Sequence, residues 1–467
     1  MHIRLELLGL MLARVVLRRA TMHRLWIAAA LATSCVPSRS TVFGPVDREV
    51  QRRVGLGVTW SEDEKTADAI DALLAKPLTL DAAVRISFAR NRHLQVRFDE
   101  LGIAASQVAD ATVLPPTTVD ADYKRAVSGT GSEIELNIVQ DVLDLVQISQ
   151  RRGIANAELR GARARAVGAT VELAARVEMA FYDVLAAMQE RELVQTAFDA
   201  ANASADLVER QHAAGNTSDL ALVREQEQRE RARIEIGRAD QVLAESRAKL
   251  GALLGIAATA TWTVAGALGD VPMTKPPLDD LEQAVSTASL DLDALRADAD
   301  AAGERHSFAM VRSFVPELGL GVAVARRDGN SWEAGPAIRI GIPLFDQQQG
   351  PRARARAEEH RARNEIAATG TELVASARTT RSRVDQAFAE VRQIVDVVMP
   401  LRKRVLAETI LQYNAMNAST FELLMARRDM VDIGRQRIEA LRRYWSSMAE
   451  VKALRRGGHA MMKEESL

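Results

Sequence analysis

Apolar and polar positions follow two regimes that alternate twice along this chain. Helical periodicity opens at Thr79, an N-cap candidate before Leu80-Asp81-Ala82-Ala83-Val84. It is expected to run to about Val113, where Pro115-Pro116 removes a backbone donor and blocks the helical path. Period two then takes over, with Ile134, Leu136 and Ile138 alternating with Glu133, Glu135 and Asn137. Residues 117–123 and 133–139 are therefore predicted as a β-hairpin, turned by Ser128-Gly129-Thr130-Gly131-Ser132. A long helical region follows, from about Ser149 to His212.

The second half repeats the plan. Helical spacing from about Leu278 to Met310 meets Pro316, after which Leu318, Leu320, Val322 and Val324 alternate with Glu317, Gly319, Gly321 and Ala323. Arg327-Asp328-Gly329-Asn330-Ser331 makes a turn, and Ile338, Ile340 and Ile342 return as the partner strand. Another helical region runs from Gln349 towards Tyr413, with Pro400 expected to kink or interrupt it. Pro115 and Pro316, Asp144 and Asp346, and Asn216 and Asn417 recur at an offset of 201 or 202 residues. Near the end of each copy lies a tight turn, Gly215-Asn216-Thr217-Ser218-Asp219 and then Met416-Asn417-Ala418-Ser419-Thr420. Ser218 and Ser419 are placed to cap the helices that follow.

Inside the long helices, Val177, Phe181, Val184 and Met188, and then Val384, Phe388, Val391, Val395 and Val398, fall at spacings of four and three. Such stripes suit coiled-coil packing and equally the core of an ordinary bundle. Length separates the two, since some 60 residues make ~90 Å of helix, more than a compact domain holds. Four strands are too few to close a barrel, and an open sheet in lipid leaves edge amides unsatisfied, so the hairpins are expected to combine between subunits.

Composition narrows the function. With 61 basic and 62 acidic residues the net charge is -1, which offers no global field for nucleic acid. Charged residues make up 26% and aromatics only 4%, as in long helices with narrow apolar stripes. Arg352, Arg354, Arg356, Arg361 and Arg363 are interleaved with Glu358, Glu359 and Glu365, the mark of a solvated helix face. The seven histidines are scattered without ligand spacing, so neither a metal site nor a cofactor is expected. The one cysteine, Cys35, cannot form an internal disulfide. It follows arginines and the apolar run 25–32, the order of an export signal. Ala32-Thr33-Ser34-Cys35 resembles a lipoprotein lipobox, with alanine where leucine is usual, and makes Cys35 the expected lipidation site; an ordinary signal peptide with an incidental cysteine is the other reading.

These readings divide the chain into a signal peptide with a lipobox-like end (1–35), a polar linker (36–77), a first repeat (78–255, hairpin about 114–140), a second linker (256–277), a second repeat (278–456, hairpin about 314–344) and a tail (457–467). The fold class is mainly α with a small β part.

Several motifs carry a resemblance: Leu78-Thr79-Leu80-Asp81-Ala82-Ala83, Leu143-Asp144-Leu145, Val315-Pro316-Glu317-Leu318, Gly341-Ile342-Pro343-Leu344-Phe345-Asp346-Gln347-Gln348-Gln349-Gly350 and both serine-bearing turns. Together they resemble the TolC family of outer-membrane efflux proteins over about residues 78–456, within it the CzcC-like branch serving heavy-metal exporters of the resistance-nodulation-division (RND) type. The resemblance implies a homotrimer in the Gram-negative outer membrane, with twelve strands in one β-barrel and the long helices in a periplasmic α-barrel. It also implies that Gly215, Asn216, Thr217, Ser218 and Asp219, with Asn417, Ala418, Ser419 and Thr420, form the periplasmic tip that meets an adaptor protein, which links the duct to an inner-membrane pump. No catalytic residue is implied. Two departures stand out: the first strand is weakly apolar, and Met416 replaces the glycine usual before the second serine. The alternative is a periplasmic adaptor or structural coiled-coil lipoprotein, expected to show one helical hairpin flanked by β-rich segments. An enzyme using scattered carboxylates would need a pocket with shifted pKa values.

Overall fold

The structure, a computed structural model, describes residues 38–60, 64–128, 131–257, 259–314, 317–328, 331–342 and 348–458. Cys35 and the Pro343-Leu344-Phe345-Asp346 run, with the landmark Asp346, lie outside the described residues, as does Pro316. In chain order the elements are α1 (Arg39–Val54), α2 (Glu64–Leu74), α3 (Leu80–Arg90), α4 (Arg92–Asp110), β1 (Thr118–Arg125), β2 (Ser132–Asp141), α5 (Val142–Val146), α6 (Ile148–Ala213), α7 (Asp219–Leu254), α8 (Leu281–Ala288), α9 (Leu290–Phe314), β3 (Leu318–Arg327), β4 (Glu333–Ile340) and α10 (Gln349–Gln393). A π-helical turn (Ile394–Val398), α11 (Met399–Asn414) and α12 (Thr420–Arg455) complete it. The 66 residues of α6 rise about 100 Å.

Two compact units emerge. One is built chiefly from Glu100–Ala162 and Leu295–Asn364 and contains the strands. They form a single antiparallel sheet in the order β1-β2-β3-β4, so the two hairpins join along β2 and β3. The other unit draws on Pro45–Asp99, Arg163–Ala294 and the chain from Glu365 on. Here Val177, Val184, Val384 and Val391 are fully buried, Phe181 is nearly so, and Met188, Phe388, Val395 and Val398 are half-buried. Tyr182 packs against Trp445 in a tilted pair, ring centroids 5.9 Å apart, and donates to the buried Glu178 at 2.8 Å, which Lys452 neutralises at 2.5 Å. Pairing is what makes a buried carboxylate tolerable. Burial and then the Glu178 carboxylate push the Tyr182 phenol up.

The expected helix from Thr79 to Val113 is broken at Asn91, and the one from Leu278 to Met310 at Ser289. Both residues leave the helical region and cap the next helix: Leu94 N–H donates to Asn91 Oδ1 at 3.0 Å, and Leu292 N–H donates to Ser289 Oγ at 3.2 Å. Each break receives the end of its own repeat's last helix. Asn91 Nδ2 donates to Leu253 O, while Gly255, at φ +67°, lies where a Cβ would stand 2.5 Å from Arg90 O. In the second copy Leu290 N–H donates to Gly457 O, and Gly457, at φ +84°, is crowded at 2.0 Å by Ala288 O. Glycine is the residue that such a left-handed close approach permits. Arg53 completes the second junction, donating to Ala288 O at 2.8 Å and Arg456 O at 2.7 Å.

Residues 36–77, read as a linker, instead carry α1 and α2. Val46 and Val50 of α1 are buried, and Asp47 accepts from Val58 N–H, so the segment packs despite its polar composition and Pro45. Pro400 interrupts its α-helix as expected, α10 ending at Gln393 and α11 starting at Met399 with a π-turn between them. The missing N–H and the ring's clash with the preceding turn are absorbed by widening residues 394–398 into a π-turn.

Candidate functional site

The sheet separates its side chains by chemistry. The register sets Val119, Ala121 and Tyr123 of β1 beside Ile138, Leu136 and Ile134 of β2, which lie beside Val322, Val324 and Arg326 of β3. Leu318 and Leu320 pair with Ile340 and Ile338 of β4 on the same face. This nearly continuous apolar face is open: Val119 is 63% exposed, Tyr123 66% and Ile338 66%. The opposite face carries Asp120, Asp122 and Lys124, Glu133, Glu135 and Asn137, Arg327, Glu333 and Arg339. Ion pairs lace it, Lys124 to Glu135 at 3.3 Å, Arg327 to Glu133 at 2.8 Å, and Arg339 of β4 to Asp120 of β1 at 3.1 Å. Gly319 and Gly321 lie on this polar face between them; a Cβ on Gly321 would stand 2.0 Å from Ile138 O. The first strand, weakly apolar as a string, places every one of its apolar residues on the apolar side. Among the described residues, strands β1 and β4 each keep one edge without a partner strand.

The twin turns close by the same hydrogen bonds. Gly215 N–H donates to His212 O and Asn216 N–H to Gln211 O, both at 2.8 Å. Met416 N–H donates to Tyr413 O at 3.0 Å and Asn417 N–H to Gln412 O at 2.8 Å. This is the Schellman arrangement, which requires a left-handed residue after the helix. Gly215 supplies it at φ +74°, and Met416 adopts it at φ +59° despite its Cβ. Ser218 and Ser419 then cap the next helices as predicted, accepting from Ala221 N–H at 3.3 Å and Glu422 N–H at 3.2 Å. The second cap is reciprocal, since Glu422 accepts from Ser419 N–H at 2.7 Å. Hydrogen bonds from the Ser419 amide and hydroxyl hold the Glu422 carboxyl below its ordinary value. In the first turn His212 reaches Thr217 O and Asp219, each at 3.2 Å. Gly215, Asn216, Ser218, Asp219, Asn417 and Ser419 are exposed, Thr217 and Ala418 half-buried, and Thr420 opens α12.

Sequence reasoning did not find the exposed apolar residues around the second turn. Leu411, Met416 and Phe421 are all exposed, Met416 at 94%. An open groove of about 620 Å³ at the same turn is lined among others by Leu401, Val405, Asn417, Ala418 and Glu422. Two facts bear on chemistry: no cluster of three metal-ligating side chains and no helix long and apolar enough to cross a membrane occur among the described residues.

Residues 99–256 match the family model described as outer membrane efflux protein. The cobalt-zinc-cadmium resistance protein CzcC of Cupriavidus metallidurans is 23% identical over 360 residues, covering 76% of this chain and 84% of that protein. Among solved structures, the CmeC outer membrane channel of Campylobacter jejuni superposes with a TM-score of 0.65 at 14% identity, covering 87% of this chain and 91% of CmeC. The outer membrane protein VceC of Vibrio cholerae gives 0.62 at 16% identity, covering 88% and 98%. A mainly helical fold with a four-stranded sheet and twin capped turns is the architecture this chain shares with those solved channels. The family model spans about a third of the chain, and the solved outer membrane channels share its fold over most of its length. Two β-hairpins, each set between helices, do not favour the periplasmic adaptor alternative, for which one helical hairpin flanked by β-rich segments is expected.

Proposed function

We propose that three copies of this chain form a passive duct through the outer membrane, driven from below by an inner-membrane pump of the RND type through a periplasmic adaptor. The observation that carries the reading is the sheet: one face apolar and exposed, the other charged, both edges open. A hydrocarbon environment accepts such a sheet only if its edges are closed. Pairing β1 of one copy with β4 of the next closes twelve strands into a ring, apolar side to lipid and charged side to the lumen. The twin turns suit the adaptor-contacting tip: Gly215, Asn216, Thr217, Ser218 and Asp219 in one, Asn417, Ala418, Ser419 and Thr420 in the other. Cys35 is proposed as the lipid-bearing residue. The likeness to CzcC supports metal ions as cargo and an RND partner. The duct supplies shape and selective access, and the energy comes from the pump.

Single-channel recording of detergent-extracted protein in a planar bilayer, with its mass by light scattering, tests this. Discrete conductance from a trimer is expected. A monomer or dimer without conductance overturns it.

A further inference from the structure

Beyond its strands the sheet-bearing unit carries two tiers of side chains that conduction does not use. The first is apolar. Each of the four chain passages at the helical side of the sheet exposes at least one large hydrophobic residue within five positions of its strand, among them Leu114 before β1, Val146 after β2, Phe314 before β3 and Ile342 after β4. Exposed apolar side chains thus continue past the last strand pairs, which, with the sheet in lipid, puts the boundary of hydrocarbon at the start of the helices.

The second tier is cationic. Arg152 is the fifth residue of α6, and Arg352 and Arg356 are the fourth and eighth of α10, all within about 12 Å of their helix starts. Arg152 and Arg356 are exposed and Arg352 is half-buried. Most arginines nearby are spent on carboxylates: Arg312 on Asp144, Arg354 on Glu358, Arg363 on Glu359, Arg160 on Asp300. Arg152, Arg352 and Arg356 have no carboxylate partner among the described residues.

We infer that these three arginines are a headgroup collar, binding the phosphates of anionic glycerophospholipids in the periplasmic leaflet of the outer membrane. The occupant follows from placement and charge: unneutralised guanidinium groups lie just beyond an exposed apolar belt, where phosphates of the adjacent leaflet lie. Guanidinium groups match phosphate oxygens in bidentate geometry. Each such cation contributes about a fivefold preference for an anionic surface at low salt, screened as salt rises. The inference rests on the reading that the sheet lies in the membrane.

The test reconstitutes the full-length trimer in vesicles of phosphatidylcholine alone, or mixed with phosphatidylglycerol or lipopolysaccharide, and counts retained lipid by native mass spectrometry. Wild type is expected to retain phosphatidylglycerol over phosphatidylcholine by fivefold or more, with the preference falling in high salt. Combining R152Q, R352Q and R356Q removes that preference, while the matching triple lysine variant keeps most of it. Equal retention of the two phospholipids, or a preference untouched by the glutamine variant, overturns the collar. So does a stronger arginine-dependent retention of lipopolysaccharide, which belongs to the other leaflet. Flotation with none of the vesicles overturns the membrane reading itself, a failure distinct from insertion without lipid preference.

Discussion

Met416 is the residue at which this chain departs from its own first copy. It holds at φ +59° the position that Gly215 fills at +74°, and a Cβ in the left-handed region costs about 1–2 kcal/mol. Met416→Gly is expected to raise the thermal midpoint, by about 1 kcal/mol of stability after the added freedom of the unfolded chain is deducted. An unchanged or lower midpoint would show that the exposed methionine side chain is itself packed in the assembly. Arg53 is the opposite case, one guanidinium capping two helix ends. Its replacement by alanine is expected to cost about 2–3 kcal/mol and to speed amide exchange in the last turns of α8 and α12. At this scale the serine caps were legible because a hydroxyl before a helical run has few other uses. Asn91 and Ser289 were missed although both are cap residues. Their flanking apolar pattern continues on either side, and only the docking of Leu253 and Gly457 shows that the helix must stop there.

Among elements, the second turn depends on its reciprocal cap. Ser419→Ala is expected to cost about 1 kcal/mol at neutral pH. The Glu422 carboxyl is held below its ordinary value, so its contribution is fully present above the unfolded carboxyl pKa of ~4.3 and is lost as pH falls through the lower folded value. The gap in thermal midpoint between wild type and variant should therefore narrow in acid to what the hydroxyl's bond from Glu422 N–H contributes; a gap unchanged with pH would assign the cap to that bond alone. In the sheet, Gly321→Ala would force β3 from Ile138 O, at about 1–3 kcal/mol, and lower the yield of trimer extracted from membranes. The strands were readable from alternation, but the division of the whole sheet into two chemical faces was not. Period two assigns faces within a strand, whereas the register that sets Val119 beside Ile138 is fixed only by pairing. The helices of 36–77 were hidden for a different reason: Gly44, Pro45 and Gly55 signal breaks, while burial of Val46 and Val50 outweighs them.

For the whole molecule, the proposed tip makes a functional prediction. Bulky charged substitutions at both Ser218 and Ser419 should reduce export while leaving trimer yield unchanged, since both side chains are exposed and lie outside the packed stripes. Full export by that double variant would remove the turns from the adaptor contact. The repeat itself was legible from the recurring prolines, turns and strands, because each copy needs the same caps and the same hairpin. The open edges of the sheet carry a consequence for inheritance. In the proposed ring of three, a subunit whose β1 or β4 edge cannot pair still offers its other edge, so it enters rings it cannot complete. If defective and normal alleles are expressed equally and assemble at random, only about one ring in eight is wholly normal. Edge-strand lesions in this protein should therefore behave as dominant-negative alleles, whereas lesions that prevent folding altogether should be recessive.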